Sequence, residues 1–215
     1  MAAGTFAMSG LVKTTARAAG APTLPRTPSG ELGPFYPVDP PRGTDADLTR
    51  LRKLGTRALG DLVEISGRVV FRDGTPQPHA RLEIWQANAA GRYAHPGDTR
   101  VDAPLDPNFQ GYADLKADAQ GRFRFLTVRP GLYPADSTFQ RSPHIHFDIR
   151  GRARRLITQM YFSDTDAKVT AQDKVIAHDL WGASAPLPST IFANRQTERS
   201  TWDAKAALYQ FDIVL

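Results

Sequence analysis

From Leu62 onward the chain reads as short runs of apolar and β-branched residues, partly alternating with polar ones and punctuated by glycine, proline and aspartate. Leu62 to Phe71 is the clearest run, and Asp73-Gly74 behind it suits a tight turn, so the pattern predicts a strand followed by a turn. Further strands are predicted at Arg81 to Gln86, Arg122 to Val128, His144 to Ile149, Leu156 to Phe162 and Leu208 to Leu215. A helix is expected only over about Ala167 to Leu180, with a helical turn or two within Asp45 to Arg57. The stretch Asn88 to Asp118 is too long for an ordinary hairpin connection, and long loops inside a compact β domain are usually functional. Short strands with turn signals and no regular strand-helix alternation predict a mainly β fold, an antiparallel β-sandwich with long functional loops and short helices.

The N-terminal part follows another pattern. Residues 1–32 form an extended arm rich in Ala, Gly, Thr and Pro, ending at a turn-forming knot, Gly33-Pro34-Phe35-Tyr36-Pro37; residues 33–215 are expected to form the domain. The arm reads as flexible or as embracing a partner, with an export-signal remnant as the alternative. A charged leading region and a strong apolar core, which a complete export signal requires, are both missing. The expected location is therefore cytoplasmic, or periplasmic if the N-terminus is such a remnant.

Composition narrows the classes. A hydrophobic content of 41% and a charged content of 23% are ordinary for a globular chain of 215 residues. No apolar run approaches the roughly 20 residues that span a bilayer, so no membrane partner is expected. The formal charge of +5 includes a denser patch at Arg150, Arg152, Arg154 and Arg155. No aromatic-interleaved basic motif accompanies it, so no nucleic-acid partner is expected, while a positive field suits small anionic aromatics. With no cysteine, a metal must be held by His, Tyr, Asp or Glu.

The densest candidate chemistry is Arg141-Ser142-Pro143-His144-Ile145-His146-Phe147. Strand side chains alternate faces, so His144 and His146 share one face and Ile145 and Phe147 the other. Such a pair can bind one ion, or be two polar residues on a solvated face. His79, His95 and His178 read as surface residues. Tyrosine is the remaining source of ligands, with Tyr133 in a loop leading toward the histidines and Tyr93 just after a strand. Most tyrosines are structural, half-buried with a bonded hydroxyl. A phenol ionises at neutral pH only beside a strong positive charge, and two phenolates with two imidazoles suit a hard, oxidised ion such as Fe(III).

Five ordered segments make the pattern specific: Leu82 to Asn88 with Gly91-Arg92-Tyr93, Ala103 to Phe109, Pro143 to Phe147, Leu156 to Phe162, and Tyr209 to Leu215. Together they resemble the intradiol ring-cleavage dioxygenases, most nearly the iron-bearing subunits of protocatechuate 3,4-dioxygenases, from about Gly33 to the C-terminus. The resemblance implies Tyr93 and His146 as equatorial and Tyr133 and His144 as axial ligands of one Fe(III), with Tyr133 also serving as a catalytic base. It implies Arg141 and Gln159 as residues that stabilise charge on the ring and on oxygen intermediates, and Gly33, Pro34 and Trp85 as the substrate wall. The implied partners are a catecholic small molecule and dioxygen, the implied products cis,cis-muconate-type diacids. A homo-oligomer is expected, because the family's pocket-completing turn and all four ligands lie on this one chain.

Two departures stand out. Ala135-Asp136 follows Tyr133-Pro134 where protocatechuate enzymes usually carry a tryptophan and a longer connection to the arginine, which leaves hydroxyquinol and substituted catechols open as substrates. No counterpart of the helical N-terminal domain of catechol 1,2-dioxygenases is expected, because the residues ahead of the sandwich are few and not amphipathic. The alternative from another class is a transthyretin-like binding module without catalysis.

Overall fold

The computed structural model describes residues 23–41, 44–51, 55–176 and 188–215. Strands dominate: β1 Leu62–Val70, β2 Arg81–Trp85, β3 Tyr112–Lys116, β4 Arg122–Val128, β5 Tyr133–Pro134, β6 Gln140–Arg141, β7 His144–Arg150, β8 Arg155–Phe162, β9 Phe192–Arg199, β10 Ala207–Gln210 and β11 Ile213–Val214. The main sheet runs in the order β11-β1-β10-β9-β8-β7-β2-β3, with β4 paired to β1, and folds into a nearly closed sandwich; β5 and β6 form a separate two-stranded ribbon. The expectation of a purely antiparallel sheet is corrected here. β1 runs parallel to β10 and β11, and β8 parallel to β9, so the sheet is mixed.

The core explains the register of the strand that matters most. Ile145, Phe147 and Ile149 of β7 are fully buried, and the Phe147 ring packs edge-on against Phe123 and Phe125 and tilted against Phe211. Each such side chain contributes about 1.5–3 kcal/mol on burial. A slip of one residue would carry His144, His146 and Asp148 into that apolar layer, so the core fixes which face the histidines occupy.

Several elements differ from the expectations. The long segment after Asn88 contains β3, which pairs antiparallel with β2. Residues Asp45 to Leu51 form no helix; Leu48 N donates to Leu126 O, and Asp47 bridges in parallel to β4. The C-terminal run divides into β10 and β11 around Phe211-Asp212, where the Asp212 carboxylate accepts from Arg68 N. Helix α1 covers Ala167–Gln172 only, with Asp166 capping Lys168 N at 2.7 Å. Residues 177–180 of that expected helix, and His178 with them, lie outside the described residues.

Of the expected arm, residues 1–22 also lie outside the described residues. From Thr23 it is fastened to its own chain: Leu24 N donates to Arg72 O, Thr27 N to Val214 O and Gly30 N to Ile157 O. Among the described residues no helix is long and apolar enough to cross a membrane.

Candidate metal centre

Backbone alternation and two interlocked loops bring the four expected donors together. His144 and His146 point from one face of β7, where His146 is in register with Trp85 of β2 and Gln159 of β8. Tyr93 follows β2 in a turn built by Asn88, whose Oδ1 accepts from Ala90 N and Arg92 N and whose Nδ2 donates to Pro104 O. Gly131 N donates to Asn88 O, which ties the Tyr133 loop to the same turn. Gly91 makes this approach possible: its φ is +78°, and a Cβ there would stand 2.1 Å from Leu132 O. Any side chain at Gly91 would push the two tyrosine loops apart. Tyr133 then pairs across the β5–β6 ribbon with Arg141.

The donor atoms converge. His144 Nε2 lies 3.1 Å from His146 Nε2 and 3.4 Å from both the Tyr93 and the Tyr133 hydroxyl. His144 Nδ1 sits 2.6 Å from Ser142 O, a contact that requires the proton on Nδ1 and leaves the Nε2 lone pair toward the cluster. All four side chains are buried. Among the described residues no group of three or more His, Cys, Asp and Glu could hold a metal, so a cation at His144 and His146 needs the phenols as further ligands.

Electrostatics describe four neutral donors. Burial, and then the Arg141 cation, push His146 down to about 3, against the opposing backbone of Glu31. Burial, followed by Arg141 and His146, holds His144 well below the usual imidazole value. Burial and then Tyr133 raise the Tyr93 phenol well above its ordinary value, and burial raises Tyr133 although Arg141 opposes it. Two unprotonated imidazoles and two phenols packed together are poor partners for one another and good ones for a hard cation, whose charge would ionise the phenols. The residues therefore fit Fe(III).

The expected surrounding residues reach the same place. Trp85 stacks on the His146 ring at 4.9 Å and 10°, and its Nε1 has no hydrogen-bond partner among the described residues. Gly33, at φ +71°, lies against His146 so closely that a Cβ would meet the ring Cε1 at 3.2 Å. Pro34 is exposed at the outer end of that turn, while Phe35 stacks on Tyr93 at 4.7 Å. Arg141 donates through Nη2 to Gln159 Oε1 at 2.6 Å and to the Tyr161 hydroxyl at 3.1 Å. Burial works against its charge, but Tyr161, Tyr133 and Asp173 raise its pKa, and while the phenols are protonated the Asp173 carboxylate is the counter-charge that keeps the guanidinium protonated.

Sequence reasoning missed part of this frame. Asp98 is buried, accepts from Tyr93 N at 2.8 Å and binds Arg100, whose guanidinium lies 5.0 Å above the Tyr133 ring. Asn88, Gly91 and Asp173 are further positions that hold site residues; Asn88 and Gly91 lay inside a motif already singled out, while nothing nearby marked Asp173. Of the histidines expected at the surface, His79 is exposed, whereas His95 is half-buried and edge-on to Phe35 at 5.8 Å.

A family model described as Dioxygenase matches residues 32–215. The chain is 37% identical to a protocatechuate 3,4-dioxygenase beta chain from Burkholderia cepacia over 204 residues, covering 90% of this chain and 83% of the relative. It is 30% identical to the alpha chain from the same organism, covering 89% and 92%. A solved hydroxyquinol 1,2-dioxygenase from Pseudomonas putida DLL-E4 shares the fold with a TM-score of 0.66 at 21% identity, covering 89% of this chain and 66% of that one.

Proposed function

This chain belongs to the intradiol ring-cleavage dioxygenases, and on that premise we propose that it holds one Fe(III) between Tyr93, Tyr133, His144 and His146 and opens a catechol-type ring. Cleavage falls between the two hydroxyl-bearing carbons, and both atoms of dioxygen enter a cis,cis-muconate-type diacid. The observation that carries this reading is the convergence of the other three donors on His144 Nε2, with spacings of 3.1–3.4 Å.

When bound, Fe(III) supplies the Lewis acidity that ionises the diol and the electron acceptance that makes its ring reactive toward dioxygen. The protein supplies the rest. Tyr133, as the phenolate that a bound cation would create, would accept one diol proton and return to the neutral phenol that burial favours. Arg141 is positively charged inside the protein, where charge stabilisation is worth more than in water, and it offsets negative charge that develops on the ring. Gln159 orients Arg141 from β8 and gives its amide N–H to Glu31 O. Trp85 and the Gly33-Pro34 turn form the flat wall against which an aromatic ring lies, and Phe35 and Tyr36 keep water from it.

Protocatechuate is the first substrate to test, because both chains of protocatechuate 3,4-dioxygenase are among the relatives. The short Pro134 to Gln140 connection favours hydroxyquinol and substituted catechols as the next. We further propose association of like chains in the cytoplasm. Gly33 rests on the histidine of its own chain, so such contacts are not needed to complete the inner wall. Oxygen uptake and product mass over a panel of catechols test the reaction. Stoichiometric uptake with a ring-opened diacid carrying two added oxygen atoms is expected, and products cleaved beside the diol, or no uptake with any catechol, would overturn it.

A further inference from the structure

Asp173 has no role in the reading above, yet it is fully buried at the end of α1 and accepts from four N–H groups. Arg141 Nε reaches Oδ1 at 3.1 Å and Oδ2 at 3.2 Å; Ser142 N reaches Oδ2 at 2.7 Å; Val175 N and Ile176 N reach Oδ1 at 3.0 and 3.4 Å. The carboxylate thus joins the segment after α1 to β6 and to the residue just before the His144 strand.

Its effect on Arg141 follows from the geometry of a guanidinium. The group is planar, with its donors fixed in a fork, so holding two of its edges sets the direction of the third. Asp173 holds Nε, and Gln159 with Tyr161 holds Nη2. Among the described residues no hydrogen bond takes Nη1, the edge left for a bound molecule. Gln159 and Tyr161 alone meet only one edge and carry no charge; Asp173 supplies both the second point and the counter-charge that lets a cation stay buried.

We propose that Asp173 is a positioning residue: by holding Arg141 Nε it aims the Nη1 edge at the ring-cleavage site, and it acts on the reaction through Arg141. This rests on the charge-stabilising role given to Arg141 above.

The test uses the full chain loaded with iron, in four variants: Asp173→Asn, Asp173→Glu, Arg141→Ala and the double variant Arg141→Ala with Asp173→Asn. For each, kcat and KM for catechol, iron per chain and anaerobic catechol affinity are measured. Asp173→Asn should keep its iron and its catechol affinity to within about 3-fold, while kcat falls about 10- to 100-fold. In the Arg141→Ala background it should lower kcat no further. Unchanged kcat in Asp173→Asn, or losses that multiply in the double variant, would overturn the proposal. An Arg141→Ala variant with normal kcat would instead remove the role of Arg141 on which it rests. Should Asp173→Asn prove insoluble, Asp173→Glu decides alone, since it keeps the charge but moves the carboxylate by one methylene. Lower kcat with iron and affinity retained supports the proposal, and normal kcat contradicts it.

Discussion

One face of strands β2, β7 and β8 carries two polar clusters of opposite character, each with buried ionisable groups. At one end stand His144, His146, Trp85 and Gln159; two residues further along β7 the same face carries Asp148 beside Glu83, followed by Arg150, Arg81 and Arg155. In the second cluster every charge has a mate. Arg155 binds both oxygens of Asp148, Arg150 bridges Asp148 and Glu83, and Tyr112 donates to Glu83 at 2.8 Å. The first cluster has no carboxylate at its donor atoms, and its imidazoles and phenols touch mainly one another. Burial alone therefore does not mark a functional site. What distinguishes it is burial without compensation, since uncompensated donors are stable only as neutral groups or with a cation among them.

The largest expected effect comes from breaking the uncompensated end. Tyr93→Phe or His146→Ala should lose most bound iron and lower turnover by more than about 100-fold, because each removes one of four ligands and disturbs the geometry of the rest. Metal analysis and oxygen uptake on the purified variants check this, and full iron retention in both would refute the assignment.

Breaking the compensated end should do the reverse. Arg150→Ala with Arg155→Ala leaves Asp148 buried without a partner; solvent exposure of both arginines reduces the penalty from that of a fully buried pair to about 2 kcal/mol. Urea unfolding should show this loss while iron content stays normal. A variant as stable as the parent would show that the network contributes nothing.

Within the first cluster a finer distinction is expected. Tyr133→Phe should retain more iron than Tyr93→Phe but turn over about 10-fold more slowly than the parent, since in the proposed site its phenolate serves as a base as well as a ligand. Turnover at saturating catechol equal to that of the parent would contradict that role.

A separate contrast is the pH dependence of the metal-free protein. His146 is held at about 3 by burial and the Arg141 cation, so from about pH 6.5 downward the unfolded chain binds a proton that the folded chain refuses. Stability then falls with falling pH by about 1.4 kcal/mol per unit for that histidine, with His144 acting in the same direction. Asp148, although burial raises it, is held below the usual carboxylate value by Arg155 and Arg150, and its contribution is lost only at lower pH, as the carboxylate protonates. Thermal melts between pH 7 and 4 should therefore lose slope in a His144→Asn, His146→Gln variant and keep it in the parent. Equal slopes in both would erase the contrast.

The sequence made some of this legible and hid the rest for physical reasons. Period-two alternation placed His144 and His146 on one face and Ile145 and Phe147 in the core, because a strand between two layers obeys that rule closely. β3 was missed since Tyr-Ala-Asp-Leu-Lys has only two buried residues, and β9 because most of Phe192–Arg199 faces solvent and shows no alternation. The parallel pairings depend on strand order, which no local pattern encodes. Asp173 reads as one more polar residue inside the expected helix; only the fold sets it against Arg141, more than thirty positions earlier.

The central claim, four donors around one Fe(III), is tested most directly by metal analysis together with the visible spectrum of aerobically purified protein. The account predicts about one iron per chain and a red to brown colour from phenolate-to-Fe(III) charge transfer, lost in Tyr93→Phe. Colourless protein that holds zinc, or that cannot be loaded with iron, would contradict it.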